Sequence, residues 1–354
     1  DNFDADTIYL EGDVTLTEDL VIDRPLVVRA GAKAVIDLNG HNIINNTKSE
    51  TFGEGEGIIA YGELDIIGEG TVQGSTMAVW ARGNAGAVVN IYGGTFLGCE
   101  EGFAKGGRSV VYASSGNVVN IYDGNVKALA ADKTSYANKT EGVYAALNVA
   151  DRNGMINVYG GSFYKQNPAA PGTEPSDWNA AHPNGFLAEG YASVANGEWF
   201  DSKYARQMVW GTAVNVESGG TLVVNGGTLI GRGQGEFVTF DPDSDWNSND
   251  RFSWRDSVIE YATNSTVIVN GGSVKALGGA NAFEGNGDLT VRAGYFKTDK
   301  HDYVRCLDSY APPHFNVMLD TCETVISGSY GNLGIPDSAW KDEAARMQVF
   351  VDNA

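Results

Sequence analysis

A short block of sequence recurs along this chain, and the repetition constrains the fold more than any other feature. The clearest copies are VVNIYGGTF from Val88, VVNIYDGNV from Val118 and MINVYGGSF from Met155. Six further copies, some weaker, begin at Ala34, Leu64, Thr221, Thr266, Asp288 and Thr324. The glycines that precede the last strand of each copy lie 22 residues apart from Gly272 to Gly294, but 66 apart from Gly161 to Gly227. A unit of about 22 residues with insertions of variable length is therefore predicted.

Each copy repeats the same order of elements. A short apolar strand and a polar turn are followed by a strand in which Val and Ile alternate with polar residues, then by a glycine corner and a third strand. The alternation predicts one buried and one solvated face, and glycine permits a sharp bend between strands. No amphipathic helix long enough to cross a sheet separates the strands, which disfavours doubly wound and barrel folds. Three strands per unit predict an all-β fold, a parallel β-helix (solenoid) of about nine turns.

The stacked units resemble the right-handed, pectate-lyase-like parallel β-helix superfamily. The segment from Leu10 to Ile43 is similar to the first turns of such proteins. The resemblance implies a fold but no single activity, because this fold is shared by lyases, hydrolases, adhesins and phage spikes. A second resemblance is to surface proteins and phage particle proteins of gut bacteria. It is carried by the GGSF repeat and by FLAEGYASVANGEWF, residues Phe186 to Phe200.

The whole chain, residues 1–354, is interpreted as one solenoid domain. Residues 1–33 are predicted to form an N-terminal cap and the first strands, residues 34–331 the repeated turns, and residues 332–354 a C-terminal cap. Ser338 has the character of a helix N-cap within the last segment, which is alternatively an oligomer contact. Because residue 1 is Asp, either a leader has been removed or the sequence is part of a longer one.

Charge and composition exclude several classes of protein. The net charge of −21 argues against binding to DNA, RNA or an anionic membrane, because phosphates are repelled. No apolar run approaches the roughly 18 residues of a membrane span, so no membrane insertion is expected. Three cysteines are too few for a disulfide scaffold and lack the spacing of a metal site.

Most of the length variation follows the third strand of a unit, so the insertions are expected to emerge on one side and to form a binding face. Tryptophans in the two longest insertions are the predicted ligand-binding residues, since aromatic rings stack on the apolar faces of sugars. They are Trp178, Trp199, Trp246 and Trp254. The alternative is that these rings fasten the loops to the solenoid wall or bury a subunit contact.

One insertion carries acidic residues at alternate positions. Asp241, Asp243 and Asp245 supply oxygen ligands suited to Ca²⁺. The match to a calcium-binding hand loop fails where Trp246 replaces the required Gly and Phe252 the bidentate Glu. The segment is interpreted either as a non-standard calcium site or as a solvated acidic turn. No other cofactor is expected.

The predicted function is a non-enzymatic structural and recognition module outside the cell, on a phage particle as a fibre or decoration protein or on a bacterial surface. Its expected partner is a glycan or a surface protein, and the resemblance to phage spikes implies a homotrimer or a capsid partner. The alternative is a polysaccharide lyase or a glycoside hydrolase. In a lyase, Arg251 or Arg255 near the acidic residues would be the basic residue. No catalytic residue is assigned.

Overall fold

The computed structural model is a right-handed parallel β-helix, and every regular element among the residues it describes is a strand. The described residues are 7–45, 47, 53–75, 77–84, 86–98, 109–128, 145–150, 153–165, 213–232, 257–277, 281–285, 287–298, 304–305, 314–317 and 325–327. Three 10-stranded sheets run along the molecule, and each strand pairs with the strand three places further along the chain. All of these pairings are parallel, as in the pair Val88–Ile91 and Val118–Ile121. The predicted all-β solenoid is therefore confirmed.

We number the turns 1 to 10 along the chain, each turn contributing one strand to each sheet. The first sheet contains Ile8–Leu10, Leu26–Val28, Ile58–Ala60, Val79–Ala81, Val111–Ala113, Leu147–Val149, Val214–Val216, Ser257–Tyr261, Asn281–Gly285 and Val304–Arg305. The second sheet contains Val14–Thr15, Lys33–Asp37, Glu63–Ile67, Val88–Ile91, Val118–Ile121, Met155–Val158, Thr221–Val224, Thr266–Val269, Asp288–Val291 and His314–Val317. The third sheet contains Leu20–Ile22, Asn42–Asn45, Thr71–Gly74, Thr95–Gly98, Asn125–Ala128, Ser162–Lys165, Thr228–Arg232, Ser273–Leu277, Tyr295–Thr298 and Val325–Ser327.

The core is a set of aliphatic columns that run through the solenoid. In the second sheet, Leu64, Val89, Val119 and Ile156 follow one another in register, and each is fully buried. Burial of one such side chain contributes about 1.5–3 kcal/mol. Similar residues recur in each column because every turn places the same repeat position at the same point, so the alternating sequence pattern produces one continuous core.

The corner between the second and third sheets is the most regular connection. From turn 3 to turn 9 it spans the three residues 68–70, 92–94, 122–124, 159–161, 225–227, 270–272 and 292–294, and the third is always glycine. Gly161 has φ 89°, and a Cβ added there would lie 2.5 Å from the carbonyl oxygen of Gly124. Glycine is thus required both by the backbone conformation and by the close approach of neighbouring turns.

The described residues form ten turns, one more than the glycine corners indicate. Turn 1 escaped detection because its second-sheet strand has only Val14 and Thr15, and its corner, 16–19, has no glycine. The structure also corrects the last predicted copy. Val325–Ser327 pairs with Tyr295–Thr298 in the third sheet, so Gly328 follows the third strand of its turn instead of preceding it.

Length variation lies in the connections from the third sheet to the first, as predicted. The shortest of these connections are residues 23–25 and 278–280, and the longest is residues 166–213. All of these connections leave the third sheet at the same point of the turn. The predicted C-terminal cap, residues 332–354, and the three cysteines lie outside the described residues.

Candidate ligand-binding face

Turns 4, 5 and 6 present the same three kinds of outward side chain from the second sheet and the corner that follows it. Each triplet has an aliphatic residue, an asparagine and a tyrosine at alternate positions: Val88, Asn90 and Tyr92; Val118, Asn120 and Tyr122; Met155, Asn157 and Tyr159. The strands are in unbroken register, and the intervening residues fill the core. We call these nine residues the tyrosine–amide face.

The tyrosines form a continuous stack. The ring centroids of Tyr92 and Tyr122 are 4.7 Å apart with planes 4° from parallel, and those of Tyr122 and Tyr159 are 4.9 Å apart and 8° from parallel. Each tyrosine is the first residue of its corner, and the amide of Tyr122 donates to the carbonyl oxygen of Ile91 at 2.8 Å. The three tyrosine residues remain 45%, 41% and 46% exposed. Both faces of Tyr122 lie against a neighbouring ring, so the centre of the stack offers mainly ring edges and hydroxyl groups to solvent.

The asparagines form a parallel hydrogen-bonded row. Nδ2 of Asn90 donates to Oδ1 of Asp65 at 2.7 Å, Nδ2 of Asn120 to Oδ1 of Asn90 at 2.9 Å, and Nδ2 of Asn157 to Oδ1 of Asn120 at 2.8 Å. All three donors point toward the Asp65 carboxylate, and such aligned, charge-assisted bonds polarise one another. The next residue in the row is Val223, which has no polar side-chain group.

The tyrosine row continues as polar side chains toward the C-terminal end. Asn225 and Asn270 occupy the same corner position in turns 7 and 8, and Nδ2 of Asn270 donates to Oδ1 of Asn225 at 2.8 Å. Arg292, in turn 9, donates from Nη1 to Oδ1 of Asn270 at 2.9 Å. The corner therefore changes from aromatic to amide to cationic along the axis.

The phenol of Tyr92 stays neutral at ordinary pH. Loss of solvent around the ring, together with the nearby carboxylate of Asp65, the phenol of Tyr122 and the carboxylate of Glu63, raises the pKa of Tyr92 above its usual 10.0. Asp123, which follows Tyr122, is exposed and adds another carboxylate beside the face. The surface is thus rich in hydroxyl and amide groups in a negative electrostatic environment.

The residues predicted as sites fall outside the described part of the chain. These are Trp178, Trp199, Trp246 and Trp254 for the ligand and Asp241, Asp243 and Asp245 for Ca²⁺. Among the described residues, no group of three or more His, Cys, Asp or Glu side chains could hold a metal ion. Sequence reasoning missed the tyrosine–amide face, although its signal was present: Asn and Tyr keep the same repeat positions in three consecutive copies.

One tryptophan, Trp80, lies within the described residues, and it is a packing residue. It is only 8% exposed on the outer side of the first sheet, where it forms a cluster with Val27, Ile59 and Met77. Its Nε1 donates to Oγ of Ser114 at 3.1 Å, and the guanidinium of Arg82 lies 4.2 Å from its ring. In this arrangement Trp80 packs against the outer side of the first sheet.

Comparison of the chain with protein-family models, with curated proteins and with solved structures found no match. In the described part of the chain, no helix is long and apolar enough to cross a membrane. The fold and the face together define a parallel β-solenoid with a periodic polar surface.

Proposed function

We propose that this protein is a recognition module that binds an extended, uncharged polysaccharide along the tyrosine–amide face. The observation that carries the proposal is the repetition of one triplet on three successive turns in register. A periodic surface offers the same contacts at each step, so a polymer with a repeating unit uses every turn in the same way. The contacts then add within one molecule, which raises the effective affinity.

The asparagine row has hydrogen-bonding capacity suited to hydroxyl groups. An asparagine amide has two N–H donors and an oxygen with two lone pairs. The contacts within the row use one donor and one lone pair of Asn90 and of Asn120. The remaining donor and acceptor on each side chain pair with a sugar hydroxyl, which both donates and accepts. The tyrosine hydroxyls add a second line of such groups beside the row.

Charge favours a neutral polymer over an anionic one. The chain carries −21, and Asp65, Glu63 and Asp123 lie at or beside the face. A uronic acid polymer would meet repulsion at long range. A protein partner is less favoured because interfaces depend on aromatic anchors in well-packed pockets, whereas four of the six faces of these tyrosine rings lie against a neighbouring ring.

The setting we propose is outside the cell, on a phage particle as a fibre or decoration protein or on a bacterial surface. A long rod of stacked strands suits display, and the acidic charge suits an environment without nucleic acid. The insertions that carry Trp178, Trp199, Trp246 and Trp254 would supply further contacts, and Asp241, Asp243 and Asp245 would hold Ca²⁺ if binding depends on that ion. Trimer formation or docking to a capsid belongs to the same proposal.

Titration with a size series of neutral oligosaccharides, alongside uronic acid oligomers, tests this function. We expect binding of one neutral series, with affinity rising until the oligomer spans the roughly 10 Å from Tyr92 to Tyr159. Asn120→Ala and Tyr122→Ala should each weaken binding about tenfold. Tyr295→Ala is the matched control, because Tyr295 is exposed in the third sheet. The same titration in the presence of a chelator tests whether binding depends on the proposed calcium ligands. Unchanged affinity in both face variants, with the melting temperature retained, would refute the proposal.

A second candidate function is glycoside hydrolysis, favoured by one carboxylate pair. Glu260 and Glu284 are in register on neighbouring strands of the first sheet, and Glu284 is 1% exposed. Neighbouring strands lie about 4.8 Å apart, close to the about 5–5.5 Å between the two carboxyl groups of retaining glycosidases. Release of reducing ends from a neutral polysaccharide, lost in Glu284→Gln, would support it. Product release that persists in Glu260→Gln and Glu284→Gln would exclude this pair.

A further inference from the structure

We infer that Tyr92, Tyr122 and Tyr159 form an oxidative cross-linking site, at which dityrosine bonds join consecutive turns of the solenoid. The co-reactant is a peroxide, acting with a peroxidase that removes one electron from each phenol. The inference is independent of the proposed glycan binding. It rests on three properties of the stack: the distance between rings, their orientation and their exposure to an oxidant.

The rings have the separation that coupling requires. Coupling joins the ring carbons ortho to the two hydroxyl groups. For nearly parallel rings, equivalent ortho carbons are separated by close to the centroid distance, which is 4.7 Å for Tyr92 with Tyr122 and 4.9 Å for Tyr122 with Tyr159. Rotation about the side-chain bonds brings these carbons into contact. The parallel register holds the three backbones at strand spacing while this happens.

The rings are also accessible. Each tyrosine residue keeps between 41% and 46% of its surface exposed. Tyr261, by contrast, is fully buried in the core. Tyr295 is 38% exposed but lies on the third sheet, where its in-register neighbour Ser273 has no ring to couple with.

The reaction balances with the peroxide as the oxidant. Each of two phenols loses one electron and one proton to give a phenoxyl radical whose unpaired electron is shared with the ortho carbons. The two radicals form one carbon–carbon bond, and each ring then regains aromaticity as its ortho hydrogen moves to the oxygen. Hydrogen peroxide takes up the two electrons and two protons and leaves as two molecules of water. Tyr122 has two ortho carbons, so both of its neighbours can be joined to it.

A dityrosine bond here would lock the register of the face. A link between Tyr92 and Tyr122 closes a loop that contains residues 99–110, and a link between Tyr122 and Tyr159 closes one that contains residues 129–146. Cross-links that close long loops restrict the unfolded chain and stabilise the folded one.

The test treats the dilute full-length protein with hydrogen peroxide and a peroxidase, and locates links by dityrosine fluorescence and peptide mass spectrometry. We expect monomeric product that has lost two hydrogens per link, with links at 92–122 and 122–159. Tyr122→Phe removes the shared partner and should lower the intramolecular yield about tenfold, since proximity supplies the effective concentration. Tyr92→Phe should leave only the 122–159 link, and the matched control Tyr295→Phe should change nothing.

Two results would overturn the inference. One is an unchanged intramolecular yield in Tyr122→Phe, and the other is a product linked only between molecules. If Tyr122→Phe does not fold, the wild-type chain in denaturant gives the answer instead. The 92–122 and 122–159 links should then fall to the level of other tyrosine pairs, and links that persist at the folded-state yield contradict a role for the stack.

Discussion

Tyr122 and Tyr159 stack with ring centroids 4.9 Å apart, although a full turn of the solenoid separates them along the chain. Neither ring is placed by its sequence neighbours alone. Their contact depends on the parallel register that pairs Val118–Ile121 with Met155–Val158. The candidate site is therefore a property of stacked turns, and its stability can be tested turn by turn.

The asparagine row can be interrupted at its centre. Asn120→Ala removes the donor to Asn90 and the acceptor for Asn157, and we expect it to lower the free energy of unfolding by about 1 kcal/mol. The matched control is Asn125→Ala in the next strand, where the side chain is exposed; it should cost less than about 0.5 kcal/mol. Equal costs in a urea titration would show that the row adds nothing.

Alanine substitutions at two corner glycines distinguish the cost of backbone strain from the cost of steric overlap. Gly40 and Gly161 have φ of 84° and 89°, but an added Cβ meets nothing within 4 Å at Gly40 and lies 2.5 Å from the Gly124 oxygen at Gly161. Gly40→Ala should cost about 1–2 kcal/mol, the penalty of the left-handed conformation. Gly161→Ala should cost about 3 kcal/mol or more. Denaturant unfolding of the two variants gives the comparison, and similar losses would contradict the close approach of turns 5 and 6.

The core of the third sheet can be tested at Phe163. This ring is fully buried and sits in register with Val126 and Leu229. Phe163→Ala should cost about 3–5 kcal/mol because it leaves a cavity between the turns, and Phe163→Leu should cost clearly less. A loss below about 1 kcal/mol for the alanine variant, measured by chemical unfolding, would be inconsistent with this position in the core.

Deprotonation of Tyr92 should make stability fall at alkaline pH. The pKa of Tyr92 is raised in the folded protein above its usual 10.0. The unfolded chain therefore releases this proton first, and stability present below pH 10 is lost as the pH rises through the folded-state pKa. Tyr92→Phe should show a shallower decline of unfolding free energy above pH 10 than the wild type. Tyr295→Phe keeps Tyr92 and should retain the steeper decline; identical slopes for wild type and Tyr92→Phe would contradict the shift.

Much of the fold was predictable because solenoid turns are local. The copies at Val88, Val118 and Met155 specify strand, corner and strand within a few residues, and the alternation identifies the inward residues. Turn 1 was not predictable in the same way, because Val14–Thr15 is too short to show alternation and its corner lacks glycine. The last turn was misassigned at Thr324 for a related reason, since a single apolar strand does not reveal which sheet it joins.

The candidate site was predicted on the insertions, and those residues lie outside the described part of the chain. The tyrosine–amide face was overlooked because, in a single copy, Asn90 and Tyr92 are ordinary outward residues of a strand and a corner. Their significance arises when equivalent residues are aligned between turns. The repeat makes that alignment possible for Tyr92, Tyr122 and Tyr159, where the corner keeps a constant length.

The sequence by itself determined the local order of strands and corners, the inward columns and the side on which insertions leave the turn. The tertiary structure decided which residues of different turns touch. Tyr159 and Asn225 hold the same corner position in consecutive turns, yet residues 166–213 intervene between their turns. The length of an insertion does not determine the register of the strand that follows it. That register is fixed by the hydrogen bonds between parallel strands and by the packing of the core columns.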